Sequence, residues 1–310
     1  MSSSSVGTIG TTSAPPGTNS GQSEILKKLN EPEWKSFWKR FVRHKLALVG
    51  VVLLIILVGM AILAPVIAPH DPNRISLINR LASPGLENWL GTDETGRDVF
   101  SRLVFGARVS LSIGIAATLV SIIVGSLIGA FSGFVGGTID TILMRFVDAM
   151  LTIPTFFLAL LILSAFGASF LNLIIVIGLT GWMTVARVVR SEVLRTKNEE
   201  FVQAATSIGL SPGLILWRHV FPQAVPLLIV ATTLGVGEAI IVESSLSYLG
   251  LGVQPPASTW GNMLAGSQSE IWNRPDLAIY PGLAILLSVL AFNFVGDALR
   301  DTLDPRMKNN

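Results

Sequence analysis

Four stretches of this chain carry no charged residue over a length that would cross a bilayer: Leu46 to Ala64, Val109 to Ile139, Ala149 to Ala186, and Leu277 to Gly296. About 18 to 20 apolar residues suffice to span the hydrocarbon as a helix. The run from Ala149 to Ala186 would be roughly 57 Å long as one helix, about twice the hydrocarbon thickness, so it divides in two. Gly167, Ala168, Ser169 and Asn172 supply the turn. A further span, from about Gln223 to Gly250, is interrupted only by Glu238 and Glu243. The chain therefore reads as all-α, a polytopic membrane protein with six transmembrane helices. A composition that is 50% hydrophobic and 14% charged excludes an ordinary soluble domain.

Charge is distributed unevenly between the connecting segments. With the N-terminus inside, the cytoplasmic segments hold every Lys and Arg except Arg74, Arg80, Arg97, Arg102, Arg108 and Arg274. Basic residues collect on the cytoplasmic side of membrane proteins, so both termini and the loop around Gly209 are expected there. A net charge of +2 gives no reason to expect a nucleic-acid partner. The chain has no cysteine, which excludes disulfides and thiolate metal sites. His44, His70 and His219 have no ligand spacing, so no metal site is expected either.

Residues 1–22 are Ser, Thr, Gly and Pro without charge, the composition of a disordered cytoplasmic tail. Within residues 23–45, Trp34, Phe37, Trp38 and Phe41 repeat at i, i+3, i+4 and i+7 among Lys35, Lys39, Arg40 and Arg43. That is an amphipathic helix lying on the membrane surface and in contact with lipid. The first transmembrane helix follows at 46–64, an uncleaved anchor because its apolar run is too long and starts too late for a signal peptide. Residues 65–107 then form an extracytoplasmic loop.

That loop contains Gly91, Thr92, Asp93, Glu94, Thr95, Gly96, Arg97 and Asp98, which have the glycine spacing of a phosphate-binding loop. They lack its chemistry: Arg97 stands for the Lys, Asp98 for the magnesium-holding hydroxyl, and Asp93 with Glu94 would repel phosphate. The chain has no visible ATP site of its own. The loop reads instead as a turn followed by a short amphipathic helix, with Val99, Leu103 and Phe105 partly buried.

In the second span Gly125, Gly129 and Gly133 make a small-residue face suited to close helix packing. Asp140, Arg145 and Asp148 cluster at the start of the third, and the spacing of Arg145 and Asp148 suits a local ion pair. Glu238 and Glu243 are carboxylates inside a span, costly there and by default functional. At about 100° per residue they point roughly 140° apart, so one is expected on a pathway and the other against a neighbouring helix. The plainer alternative is that Ser and Thr neighbours or protonation satisfy both.

From Glu199 to Pro226 the pattern is helix, tight turn, helix: Ala204 and Ala205 together, Gly209 as breaker, Ser211 as cap with Pro212 at the first position, then Pro222 and Pro226. Small residues before a glycine bend admit another protein's surface, which makes this a docking element or, more plainly, an amphipathic loop. The segment resembles the Glu-Ala-Ala loop of binding-protein-dependent ABC importer permeases. Gln203, Ala204, Ala205, Gly209 and Pro222 match it in place, with Gln203 for the Glu, His219 for an Ile and Phe221 for a Leu. The stretch GTDETGRDVFSRLVFGARVSL closely resembles a signature of the second permease subunit of dipeptide and oligopeptide importers. RFVDAMLTIP with Asp148 and Pro154, ESSLSYLGLG with Glu243, and the final span are similar to the same family, and the likeness runs from about Ser36 to Lys308.

The resemblance implies the type I ABC importer permease fold. Residues 108–300 would form its core domain, with five transmembrane helices and a coupling loop at 190–222, and residues 301–310 a cytoplasmic tail. It implies a multi-pass subunit of the bacterial inner membrane that moves peptides, or alternatively nickel, glutathione or another small solute. Its partners would be a second homologous permease chain, two ABC ATPase subunits holding ATP and magnesium, and an extracytoplasmic substrate-binding protein. No cofactor is expected on this chain and no enzymatic activity of its own. Gln203, Ala204, Ala205, Gly209 and Pro222 would couple to the ATPases, and Gly91, Thr92, Asp93, Gly96, Arg97 and Asp98 would meet the binding protein. Glu238, which has no place in the family's pattern, and Glu243 stay candidates for the substrate pathway because they are carboxylates inside a span. The rival class is an ion-coupled carrier relaying protons through the two glutamates, but no convincing inverted repeat relates the two halves. A membrane-embedded enzyme would need a nucleophile with its base, or a metal cluster, and neither is visible.

Overall fold

The computed structural model describes residues 33–303. The expected tail at 1–22, the start of the 23–45 segment and residues 304–310 lie outside the described residues, as do the side chains of Trp34 and Phe37. Two compact units divide between Arg43 and His44. The first contains helix α1 (Glu33–Arg43), where the rings of Trp38 and Phe41 meet edge to face with centroids 6.0 Å apart. Arg40 and Arg43 occupy its last turn, where the helix dipole favours cations.

The second unit holds α2 (Lys45–Ile62), α3 (Val99–Val135), α4 (Gly137–Leu151), α5 (Thr155–Phe166), α6 (Phe170–Lys197), α7 (Glu200–Ser207), α8 (Val225–Tyr248), α9 (Trp260–Ser267) and α10 (Asp276–Leu303). Among the described residues there is no strand, only an isolated bridge between Thr92 and Asp98. Five helices are long and apolar enough to cross a membrane: α2, α3, α6, α8 with the turns before it, and α10. The α4–α5 pair makes a sixth, bent by 82°. The protein is thus all-α with the expected six membrane segments, one of them broken.

Three expectations need correcting. The short amphipathic helix after Gly91 is not separate, because α3 runs without a break from Val99 to Val135. Arg102 does not interrupt it, since the side chain is buried against Asp93, Nε to Oδ2 3.4 Å. At its far end, the uncharged run to Ile139 is cut at Gly136 and Gly137, whose φ values of 71° and 62° turn the chain into α4. The third span is not one straight helix either. Pro154 disfavours helical geometry at the residue before it and stands at φ −57°, ψ 122°, so the chain bends between Leu151 and Thr155. The turn into α6 falls where the sequence places it: Ser169 caps by accepting from the Asn172 N–H, and the Asn172 amide donates back to the Phe166 and Gly167 carbonyls.

The most extensive pairing in the bundle is α3 against α6. The Gly125, Gly129, Gly133 face is spent here. A Cβ on Gly129 would stand 2.3 Å from the Ala186 carbonyl oxygen, and one on Gly125 2.6 Å from that of Trp182. Helices without side chains between them can bring their backbones together, which is the packing available where lipid is as apolar as leucine. Helix α8 packs on α3 and touches α6, and α10 closes against α2 and α8.

Candidate functional site

At one end of the bundle, α6 finishes at Lys197, and a two-residue link leads into α7. Helix α7 ends in a reciprocal C-terminal cap: the Gly209 N–H donates to the Thr206 carbonyl and the Leu210 N–H to that of Ala205, with Gly209 at φ 82°. Only glycine takes that conformation without strain, so the chain reverses here. Ser211 is at the cap position of the next helix, but its side chain makes no capping bond, a correction to the sequence reading. From Pro212 the chain continues through α, π and 3-10 turns into α8, with Pro222 and Pro226 in first-turn positions.

The element is amphipathic in a way that separates its five candidate residues. Ala205 is buried with Val202 on Val189 and Val193 of α6 and on Ile215, Val220 and Ala224. Gln203, Ala204, Gly209 and Pro222 are exposed, and so is Ile208, at 77%. One alanine therefore fixes the element to the bundle and the other leaves its surface low. Lys197 Nζ donates to the Phe134 carbonyl at 2.5 Å, tying the ends of α6 and α3 together. Arg190 reaches Asp140 through Nε and Nη2, each at 2.6 Å, and Ser132 donates to the same carboxylate. Asp148 pairs with Arg187 at 2.5 Å rather than with Arg145. These partners lie on α6, far along the chain, and local spacing gives no sign of them.

At the opposite end, the Gly91–Asp98 loop is folded on itself. Asp98 caps α3 by accepting from the Ser101 N–H at 2.8 Å and also accepts from the Asn88 amide at 2.8 Å. Asp93 Oδ1 accepts from the N–H and hydroxyl of Thr95 and from the Arg97 N–H, while Oδ2 takes Arg97 Nε at 2.7 Å. Thr92 donates to the Asn79 carbonyl and accepts from the Ala82 N–H. Arg274, held by Asp276, donates to the carbonyls of Leu81 and Ala82. Burial opposes the charge on Asp93, but the Arg97 N–H, its guanidinium and Thr95 outweigh it and hold the carboxyl below its usual range. For Glu94, burial and then the neighbouring Asp93 push the carboxyl up. Gly91, Thr92, Asp93, Gly96 and Asp98 are all buried, so this signature shapes the loop from within. Of the residues expected to meet a binding protein only Arg97 is partly exposed, and the exposed side chains around the loop are mixed, apolar at Ile78, Leu86 and Trp272 and charged at Asp71, Arg74, Arg80 and Glu87.

The two glutamates of α8 part as their spacing requires. Glu243 is fully buried, accepting from Ser247 at 2.7 Å and Ser110 at 3.2 Å, and Ser110 accepts in turn from the Trp260 N–H. It ties α8 to α3 and to the start of α9. Glu238 instead lines a cleft of about 280 Å³ between α3, α5, α6 and α8. Val185 and Ile122 belong both to this cleft and to the apolar cluster beneath α7, so α6 carries one on its inner face and the other near its end.

Comparison with known proteins gives two family matches. Residues 125–309 match the binding-protein-dependent transport system inner membrane component, and residues 33–84 match the N-terminal transmembrane domain of oligopeptide transport permease C. The chain is 37% identical to the oligopeptide transport system permease protein OppC of Bacillus subtilis, over 95% of this chain and 96% of the relative. It is 39% identical to the dipeptide transport system permease protein DppC of Alkalihalophilus pseudofirmus, over 89% and 91%. With the glutathione transport system permease protein GsiD of Pectobacterium atrosepticum it shares 37%, over 92% and 95%.

Proposed function

Since the chain belongs to the family of binding-protein-dependent transport system inner membrane components, we propose that it is the membrane-spanning subunit of an ATP-driven importer of peptides. The relatives' names, which cover oligopeptides, dipeptides and glutathione, support peptide-like solutes as the cargo. In this reading a second, homologous permease chain lies beside it, two ATPase subunits bind ATP and magnesium, and a binding protein delivers solute from outside. The termini and the Gly209 turn face the cytoplasm, and the Gly91 end faces outward. Delivery there falls to the exposed residues, apolar and charged, around the loop that the buried signature holds in shape.

The observation that carries the proposal is the Gly209 turn. A small-residue surface at Gln203, Ala204 and Gly209 is presented outward, while Val202 and Ala205 anchor it on α6. Closure of the ATPases against that surface would move α6, and α6 lines the cleft. Binding energy in one place thereby changes the other, as coupling requires.

Gly209→Asp tests this. A Cβ at Gly209 meets no atom within 4 Å, and aspartate is among the side chains that visit the left-handed region, so the strain at φ 82° stays small enough for the variant to insert and fold. With the whole complex in proteoliposomes, ATP-dependent uptake should fall about 5- to 150-fold, the usual size of a coupling effect. Uptake at the unaltered rate would remove the docking role from this turn.

A further inference from the structure

The cleft beside Glu238 has a chemistry that nothing above assigns. Its polar lining consists of Glu238 and five hydroxyls, Thr118, Ser121, Thr155, Thr180 and Thr184, with no Lys, Arg or His. Three of those hydroxyls have already given away their protons. Thr118 donates to the Gly114 carbonyl at 2.8 Å, Ser121 to that of Gly178 at 2.7 Å, and Thr180 to that of Val176 at 2.9 Å. A hydroxyl that has donated can only accept, so what these oxygens still offer is lone pairs. Glu238 itself has no hydrogen bond or ion pair among the described residues and is exposed near the middle of its helix.

A carboxylate at that depth is expensive unless a partner or water meets it, and the partner is missing from this chain. The cleft presents one negative charge, three hydroxyl oxygens that can only accept, and two further hydroxyls, Thr155 and Thr184, but no cationic group to neutralise the charge. We propose that it receives the positively charged amino end of the solute, with Glu238 pairing the ammonium and the hydroxyl oxygens of α3 and α6 accepting its remaining N–H groups. An ammonium has three donors and no acceptor, which is the complement of this lining. A soft divalent metal fits poorly, since it prefers imidazole or thiolate and the cleft supplies neither. The solute's own carboxylate is repelled by Glu238, so the amino end leads into the cleft. The apolar remainder of the lining, such as Val185 and Leu234, admits a side chain of any apolar kind without choosing among them.

This inference rests on the importer reading above, and the experiment separates the two. The complete transporter, with its binding protein, is reconstituted in proteoliposomes and offered radiolabelled di- to pentapeptides. The peptide taken up fastest is then compared with its N-acetyl form. The binding protein's affinity for each is measured separately and divided out. The unaltered complex should favour the free amino end by about 10- to 100-fold, the worth of a charged hydrogen-bonded contact. Glu238→Gln should remove most of that preference, and Glu238→Asp should keep part of it. A Glu238→Gln complex with undiminished preference would overturn the ammonium site while ATP-driven uptake upholds the importer. Loss of the second permease chain on purifying Glu238→Gln would also overturn it, making Glu238 a subunit contact. Failure of the unaltered complex to take up any peptide under ATP would defeat the peptide-importer reading first, and the ammonium site with it.

Discussion

The two ends of the bundle both turn on glycines with positive φ, and they are built in opposite ways. Around Gly96 the carboxylates of Asp93 and Asp98 are matched several times over within the chain, and a Cβ there would stand 1.9 Å from the Ser76 carbonyl oxygen. Around Gly209 no atom lies within 4 Å of an added Cβ, and the surface on either side is exposed. The first glycine is required by its neighbours and the second only by its own backbone. A loop saturated from within holds a shape for what surrounds it, whereas a turn left open keeps its surface for something else to cover. Sequence signatures thus mark the two ends for different physical reasons, rigidity at one and vacancy at the other.

Gly96→Ala gives the largest effect and tests the saturated end. The clash is with backbone, which cannot swing aside, and φ 77° adds strain for any L side chain. A cost on the order of 4 kcal/mol is expected, which places the variant among the exceptional single substitutions. Little monodisperse protein should survive detergent extraction, and what survives should melt early. A melting curve within a few degrees of the parent would break the contrast between the two ends.

Asp93→Asn sharpens the same side at a smaller scale, about 3 kcal/mol, because it leaves Arg97 and the buried Arg102 without their shared carboxylate. Its pH signature is specific. A carboxyl held below its ordinary value of 3.8 contributes stability that is complete above that value and fades as the pH falls through the folded one. Glu94 has the opposite sign: raised above 4.5, it contributes stability at low pH that is lost as the pH climbs. Subtracting the melting profile of Asp93→Asn from that of the parent should leave a difference that falls steeply below about pH 4, beside a smaller change above it as Glu94 loses the neighbouring charge that raises it. A difference that stays constant down to pH 2 would show that Asp93 is not held as an anion by this loop.

What the sequence disclosed follows the range of the interaction. The spans were legible because lipid demands long charge-free runs, and the Gly167 and Gly209 turns because glycine and its flanking caps are local signals. The join of the Val99 helix to the second span was hidden, since Arg102 and Arg108 break the apolar run, and only the structure shows Arg102 buried against Asp93. The 82° break at Pro154 was masked by a run with no charge in it, although the proline itself was plain. Asp148 was paired with the wrong arginine, and Asp140 was left without one, because their partners, Arg187 and Arg190, stand on another helix. For Glu238 and Glu243 the angle between them was readable and the direction of each was not. Only the packing of α3 and α6 says which one looks into the cleft.

The open end should give the smallest change in stability and the clearest separation of stability from function. Gly209→Asn should cost under about 1 kcal/mol, since asparagine accepts the left-handed region better than other side chains and nothing crowds it. Ile208→Ser should cost less still, within about 0.5 kcal/mol, because a side chain 77% exposed loses little on truncation. If the surface beside Gly209 is a docking face, Ile208→Ser should nevertheless lower ATP-driven uptake by roughly fivefold or more, as a weakened coupling contact does. Melting in detergent and uptake in proteoliposomes, measured on one preparation, read the two effects separately. An early melt would mean that Ile208 supports the fold and that this end is as saturated as the other. An unchanged melt with unchanged uptake would leave the end open and yet unused, and the docking face would have to be sought elsewhere on the bundle. A parental melt with a lost response to ATP is the result that assigns the vacancy to a partner.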